Sequence, residues 1–191
     1  DAELKVLLIQ RGTPPFLGQW ALPGGFIHPD EDLADAARRE LAEETGIHQD
    51  PGHLEQFGSY GDPDRDPRMR VVTVGFWAIV SDLPTPAGGS DARNAELVAV
   101  SEVESGRIRL AFDHATILAD ALETARSKLE STTLAAAFCG PEFTVSDLRK
   151  VYDAVWNTEL DAGNFQRKVT KSKGFIEPVE MPPARHGDKG G

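Results

Sequence analysis

The sequence predicts an α+β domain followed by a small helical domain, and three features of its 191 residues carry that prediction. The β-branched and aliphatic runs Lys5–Arg11 (KVLLIQR) and Val71–Val80 (VVTVGFWAIV) read as strands. Between them a helix opens behind Asp32 near Leu33 and closes at Gly46, a residue suited to a left-handed C-terminal cap. Beyond about Ser131, where the first domain is complete, two short amphipathic helices stand in the remaining stretch.

The other elements follow in order. Thr13-Pro14-Pro15 marks a loop, and Trp20–Leu22 is a short strand leading through Pro23-Gly24-Gly25 into the capped helix. Leu54–Tyr60 is a weaker strand, and GDPDRDPR from Gly61 to Arg68 is a proline-punctuated loop of alternating charge. A linker-like loop over Asp82–Asn94 precedes a strand at Glu96–Val100. Phe112–Leu129 has Ile117, Leu118, Leu122, Ala125 and Leu129 on one helical side; His114 near its start could serve a site, though a structural histidine is the plainer reading. Thr132–Cys139 is a short apolar piece stopped by Gly140-Pro141, so Leu129–Pro141 is expected to act as a hinge. Thr144 and Asp147 then suit the two ends of a capping box, for a helix reaching about Trp156 with Leu148, Val151, Tyr152 and Val155 inward. Asp161 caps the last helix, which runs to about Ser172.

Composition excludes several classes. No apolar run approaches the length of a membrane span of about 18 residues, and nothing resembles a signal peptide. A single cysteine, Cys139, forbids an intramolecular disulfide, agrees with a cytoplasmic protein and lies in an apolar setting that suits a buried thiol. Net charge is −11, yet residues 141–191 hold 8 acidic and 8 basic residues, so the whole imbalance belongs to residues 1–140. Phosphate contact needs local positive charge, so nucleic-acid binding is possible only in the second part.

Glu40, Glu43 and Glu44 stand at i, i+3 and i+4 of the capped helix, on one arc of about 100°. Like charges so placed repel, by about 1 kcal/mol per pair at 4 Å in water and about 4 at an effective dielectric of 20. A divalent cation reverses that sign, and a hard oxygen cluster suits Mg2+ or Mn2+. A solvated acidic face would account for the three acids alone. It leaves the preceding glycines and the fixed offsets of Glu31, Arg39 and Gly46 unexplained. From Gly25 to Ile47 the sequence resembles the Nudix box, G-x5-E-x7-R-E-(aliphatic)-x-E-E-x-G-(aliphatic), with every fixed position filled. The resemblance implies a mixed sheet between helices and a loop–helix–loop that binds metal and a nucleoside diphosphate. Gly25, Glu31, Arg39 and Gly46 would shape the box, while Glu40, Glu43 and Glu44 would hold metal and act in catalysis. That fold normally has another strand upstream, and the chain opens at Asp1 without methionine, so its native start is expected to be missing here.

Arg65 and Arg68 suit a diphosphate, whose oxygens match a guanidinium fork, although a solvated turn would read the same. In the last helix Asn164, Arg167, Lys168 and Lys171 share one face, and Phe165 and Val169 point the other way. With Lys173 they give Ala162–Lys173 four basic residues and no acid. This is the pattern of a helix-turn-helix whose second helix enters the major groove, and Gly174-Phe175-Ile176 would begin a β wing, cut short by Gly191. A solvated basic face is the plainer alternative.

Residues 1–131 and 132–191 taken together resemble the Nudix-related transcriptional regulators of NAD metabolism, the NrtR type, across nearly the whole chain. The resemblance implies a homodimer with a C-terminal winged helix that binds a palindromic double-stranded DNA operator. It also implies a Nudix domain that senses ADP-ribose, and repression of NAD-biosynthesis genes. Some members of that family have degraded boxes and no longer hydrolyse the ligand; here the box is intact. A plain ADP-ribose pyrophosphatase with a structural tail, or a Nudix enzyme for another nucleotide sugar, remain the competing readings.

Overall fold

The computed structural model describes residues 3–49, 53–80, 83–89, 92–131, 134–137, 139, 142–172 and 174–179. Strand β1 (Lys5–Arg11) is the centre of a three-stranded antiparallel sheet, between β2 (Trp20–Ala21) and β5 (Ala92–Ala99). Ile9 meets Ala21 on one side and Ala95 on the other, so two small residues make room for one large one in the core. β5 starts four residues before the strand expected at Glu96, over the last three residues of the stretch expected as a loop, because β1 offers partners along its full length, from Lys5 opposite Ala99 to Arg11 opposite Ala92. The named strands all pair antiparallel, and a parallel bridge between Trp20 and Leu110 adds the mixed element.

β3 (Glu55–Tyr60) and β4 (Thr73–Trp77) make a second, two-stranded sheet. β4 is half the length that its β-branched run predicts, and the pairing register shifts between Gln56 and Gly58. Phe57 lies across the ladder there, and a Cβ on Gly75 would come within 2.6 Å of its ring. Backbone room for that ring is why a glycine interrupts an otherwise bulky strand.

The helices follow the local signals closely. α1 runs Leu33–Thr45, α2 is a short Val100–Glu104 helix that the sequence reading did not anticipate, and α3 spans His114–Ser131. After α4 (Leu134–Ala137) come α5 (Val145–Trp156) and α6 (Ala162–Lys171). Thr144 and Asp147 form the full capping box, and Asn157 ends α5 in the left-handed region at φ 49°. Asp161 caps α6 by accepting from the Asn164 N–H at 2.8 Å.

One interior joins what the sequence separates. Trp77 of β4 and Ala125 and Leu129 of α3 pack with Ala135, Leu148, Tyr152, Val155 and Val169. Leu129, Leu148 and Val155 are buried almost completely, each burial being worth about 1.5–3 kcal/mol. Ala135, within the stretch expected to be a hinge, has no exposed surface, and Tyr152 donates a buried hydrogen bond to the Leu129 carbonyl at 3.1 Å. The described part of Leu129–Pro141 is therefore packed rather than a free linker. No helix among the described residues is long and apolar enough to cross a membrane.

Candidate functional site

The acidic arc of α1 is held in a specific arrangement. Asp32 accepts from the Leu33 N–H at 2.7 Å, and Gly46 closes the helix at φ 68° with its N–H on the Ala42 carbonyl. Glu44 is buried and accepts from the Gly24 N–H at 2.9 Å. Glu40 lies so close under Gly25 that a Cβ there would overlap its carboxylate. Only glycine permits that approach. Glu43 points outward, with half of its side chain exposed.

Arg39 gathers the carboxylates. Its fork takes Glu31 at 2.9 and 2.6 Å, and the remaining amino group reaches Glu40 at 2.8 Å and Glu43 at 3.1 Å. A further bond to the Phe26 carbonyl at 3.0 Å ties the loop to the helix. The Arg39 hydrogen bond pulls the Glu31 carboxyl down to about 2, and Glu31 in turn raises Arg39. The repulsion expected among the three glutamates is thus partly offset by a guanidinium. Among the described residues no three acids, histidines or cysteines converge tightly enough to form a metal cage. The donor chemistry nevertheless fits a hard cation: three carboxylates from one stretch of helix, two of them engaged by Arg39.

A cleft of about 420 Å³ opens over this arc, walled by Arg11, Arg39 and Arg68 with Glu40, Glu43 and Glu44. Of the two expected ligand arginines, only Arg68 faces it. Arg68 is half-exposed and steadied by Asp66 at 2.7 Å, a bond that holds the Asp66 carboxyl at about 2. Arg65 is buried instead, forked onto Asp113 at 2.8 and 2.6 Å and bonded to Thr73 at 2.5 Å, so it anchors its loop to the start of α3. A larger, mainly apolar groove of about 1430 Å³ runs beside the two sheets.

Two contributors escaped the sequence reading. Phe112, in the left-handed region at φ 55°, carries the Arg11 guanidinium 4.8 Å and the Arg68 guanidinium 5.8 Å from its ring centre. Phe16 meets the same ring edge-on at 4.8 Å. The aromatic platform keeps two cations beside the acidic arc. Arg11 was findable, since alternation along β1 places it on the same side as the core residue Ile9. Phe112 gave no local signal. His114 is structural, as expected: its Nδ1 accepts from the Leu22 N–H at 2.9 Å, and burial pushes its pKa down to about 4.

The second candidate site is α6. Asn164, Arg167, Lys168 and Lys171 are all exposed, and no acid among the described residues forms an ion pair with the three cations. Phe165 packs edge-on against Tyr152 at 5.3 Å, and Val169 is buried. Lys173 lies outside the described residues. Residues 174–179 form a turn at Gly174 and take part in no strand pairing, so the expected wing is not seen among the described residues.

A family model described as the NUDIX domain matches residues 1–121, and one described as the NrtR DNA-binding winged helix domain matches residues 135–188. The chain is 33% identical over 183 residues to an "ADPR responsive transcriptional repressor NtrR" of Acinetobacter baylyi, covering 95% of this chain and 71% of the relative. It is 40% identical over 120 residues to an "ADP-ribose pyrophosphatase" of Methanocaldococcus jannaschii, over 63% of this chain and 67% of that one. Among solved structures, Shewanella oneidensis NrtR complexed with a 27mer DNA superposes at a TM-score of 0.71. That match is 29% identical and covers 96% of this chain and 84% of the other. The filled box, the cleft above it and the basic second helix thus have one common explanation: the chain belongs to the Nudix family, in the NrtR group whose Nudix domain is followed by a DNA-binding winged helix.

Proposed function

We propose that the protein is an ADP-ribose-responsive, DNA-binding transcriptional regulator. It acts as a cytoplasmic homodimer that represses NAD-biosynthesis genes, with residues 1–131 as sensor and 132–191 as DNA-binding part. The observation that carries this reading is the pairing, in one chain, of the arginine-and-carboxylate cleft with an exposed basic α6. Arg68 and Arg11 supply guanidinium donors for the diphosphate of the ligand, and Arg65 holds the loop that presents Arg68. Asn164 suits an adenine edge and Arg167 a guanine edge, while Lys168, Lys171 and Lys173 suit phosphates.

Glu40, Glu43 and Glu44 would hold Mg2+ or Mn2+. When bound, such an ion polarises a diphosphate and lowers the pKa of a water molecule beside it. Glu44 stays on the Gly24 N–H and keeps the turn in place, and Arg39 releases Glu40 and Glu43 while retaining Glu31. A carboxylate of this set is placed to accept a proton from water, so slow hydrolysis of ADP-ribose to AMP and ribose 5-phosphate accompanies sensing. The second reading, a pyrophosphatase whose C-terminal domain is only structural, is favoured by the shared core, which would give such a tail a packing role.

A gel shift against DNA upstream of the protein's own gene neighbourhood, with and without ADP-ribose, separates the two. Retarded DNA released by ADP-ribose is the expected result. AMP release without any DNA binding would establish the pyrophosphatase. Glu44→Gln serves as the hydrolysis control and should abolish AMP release with either metal.

A further inference from the structure

Helix α3 lies between the two candidate sites and reaches each through a neighbouring element, the Arg65 loop and the Leu22 turn at its start and α5 at its far end. At its start, Asp113 holds Arg65 and with it the loop that carries Arg68. The first residue of the helix, His114, holds the Leu22 N–H, two residues before the Gly24 whose N–H is bound by Glu44. Its 18 residues span about 27 Å at 1.5 Å per residue.

At the far end the contacts are reciprocal. A helix leaves the carbonyls of its last turn without partners of its own. The Leu129 carbonyl of α3 is satisfied by the Tyr152 hydroxyl of α5, at 3.1 Å and buried. The Val155 carbonyl, in the last turn of α5, is satisfied by Arg126 of α3, also at 3.1 Å. Each helix therefore completes the other's C-terminal end. α6 moves with α5, because Arg149 holds the Leu160 carbonyl at 2.8 Å, Asp153 holds the Leu160 N–H at 2.8 Å, and Phe165 packs on Tyr152. Leu118, Leu122, Ala125 and Leu129 are buried along α3, and a continuous helix carries a displacement along its length as one rigid element.

We infer that α3 is the element through which a ligand in the cleft alters DNA binding, with Tyr152 and Arg126 as the positioning residues that set the strength of that effect. The inference rests on the proposed sensor function. A diphosphate engaging Arg68 and the Gly24 turn acts on two segments, both fixed to the first turn of α3. Displacement there arrives at α5 through the packed core and through two hydrogen bonds, neither of which touches ligand or DNA.

The test uses the full chain, Tyr152→Phe, Arg126→Gln and the double variant. For each, operator affinity is measured with and without saturating methylene-bridged ADP-ribose, which cannot be cleaved at the diphosphate, and melting is recorded alongside. Wild type should lose operator affinity on ligand addition by a typical coupling factor of about 5- to 150-fold. Each single variant should bind operator alone and analogue alone much as wild type does, yet show a smaller coupling factor, and the double variant the smallest. Variants that melt earlier but keep the wild-type factor would overturn the inference and leave the sensor function standing. A wild-type factor of one would instead overturn the sensor function, and the inference with it.

Discussion

His114 shows how one buried side chain fixes a pH response. Burial lowers its pKa from 6.5 to about 4, against the pull of Asp113 and with added push from Arg65 and Arg11. A depressed histidine pKa means that the unfolded chain takes up a proton which the folded chain refuses. The stabilisation is complete above pH 6.5 and is lost as pH falls towards 4, on the order of 3 kcal/mol across the window. The carboxylates follow at lower pH, Asp66 and Glu31 being held at about 2 by Arg68 and Arg39 respectively. His114→Asn, whose amide oxygen can still accept from Leu22, should flatten the fall in melting temperature between pH 6.5 and 4; an unchanged slope would mean that other groups carry it. Gly25→Ala tests the cleft at the same scale. Its methyl group would displace the Glu40 carboxylate, so ADP-ribose hydrolysis should fall at least tenfold while melting shifts little. Full activity in that variant would remove Glu40 from the ligand set.

At the scale of elements, the caps decided what could be read in advance. α1, α5 and α6 begin behind Asp32, Thr144 and Asp161 and end where left-handed or polar residues stop them, all within a few residues of sequence. β4 and β5 differ in length from their sequence runs, because a strand's extent is set by its partner: β4 pairs only as far as β3 reaches, from Glu55 to Tyr60, and β1 extends β5. The site divided in the same way. The box carboxylates and the α6 face follow from helical spacing. Arg65 bound to Asp113, 48 residues away, and Phe112 beneath two arginines do not, since only the fold brings them together. For α6 the expectation is specific. Arg167→Ala should cost about 1–3 kcal/mol and relax specificity at one base pair. Lys171→Glu should weaken all sequences alike and flatten the salt dependence. Wild-type binding by both Arg167→Ala and Lys168→Ala, with intact melting curves, would remove α6 from the DNA interface.

At the scale of the whole molecule, the shared interior matters more than the division into sensor and DNA-binding parts. Trp77, Leu129, Leu148, Tyr152 and Val155 belong to one cluster, so calorimetry should record a single unfolding transition, and two resolved transitions would contradict the shared core. A chain ending after Ser131 should still fold, with a lower melting temperature and new binding of an apolar dye. The same cluster has a consequence in time. Residues 129 and 152 are 23 positions apart, and ribosomes add ~5–20 residues per second, so Leu129 is made roughly one to five seconds before Tyr152 can cover it. For that interval a nascent first domain displays Trp77, Ala125 and Leu129 to its surroundings. Slow codons between Leu129 and Val155 should prolong the display and raise the fraction of new chains lost to aggregation.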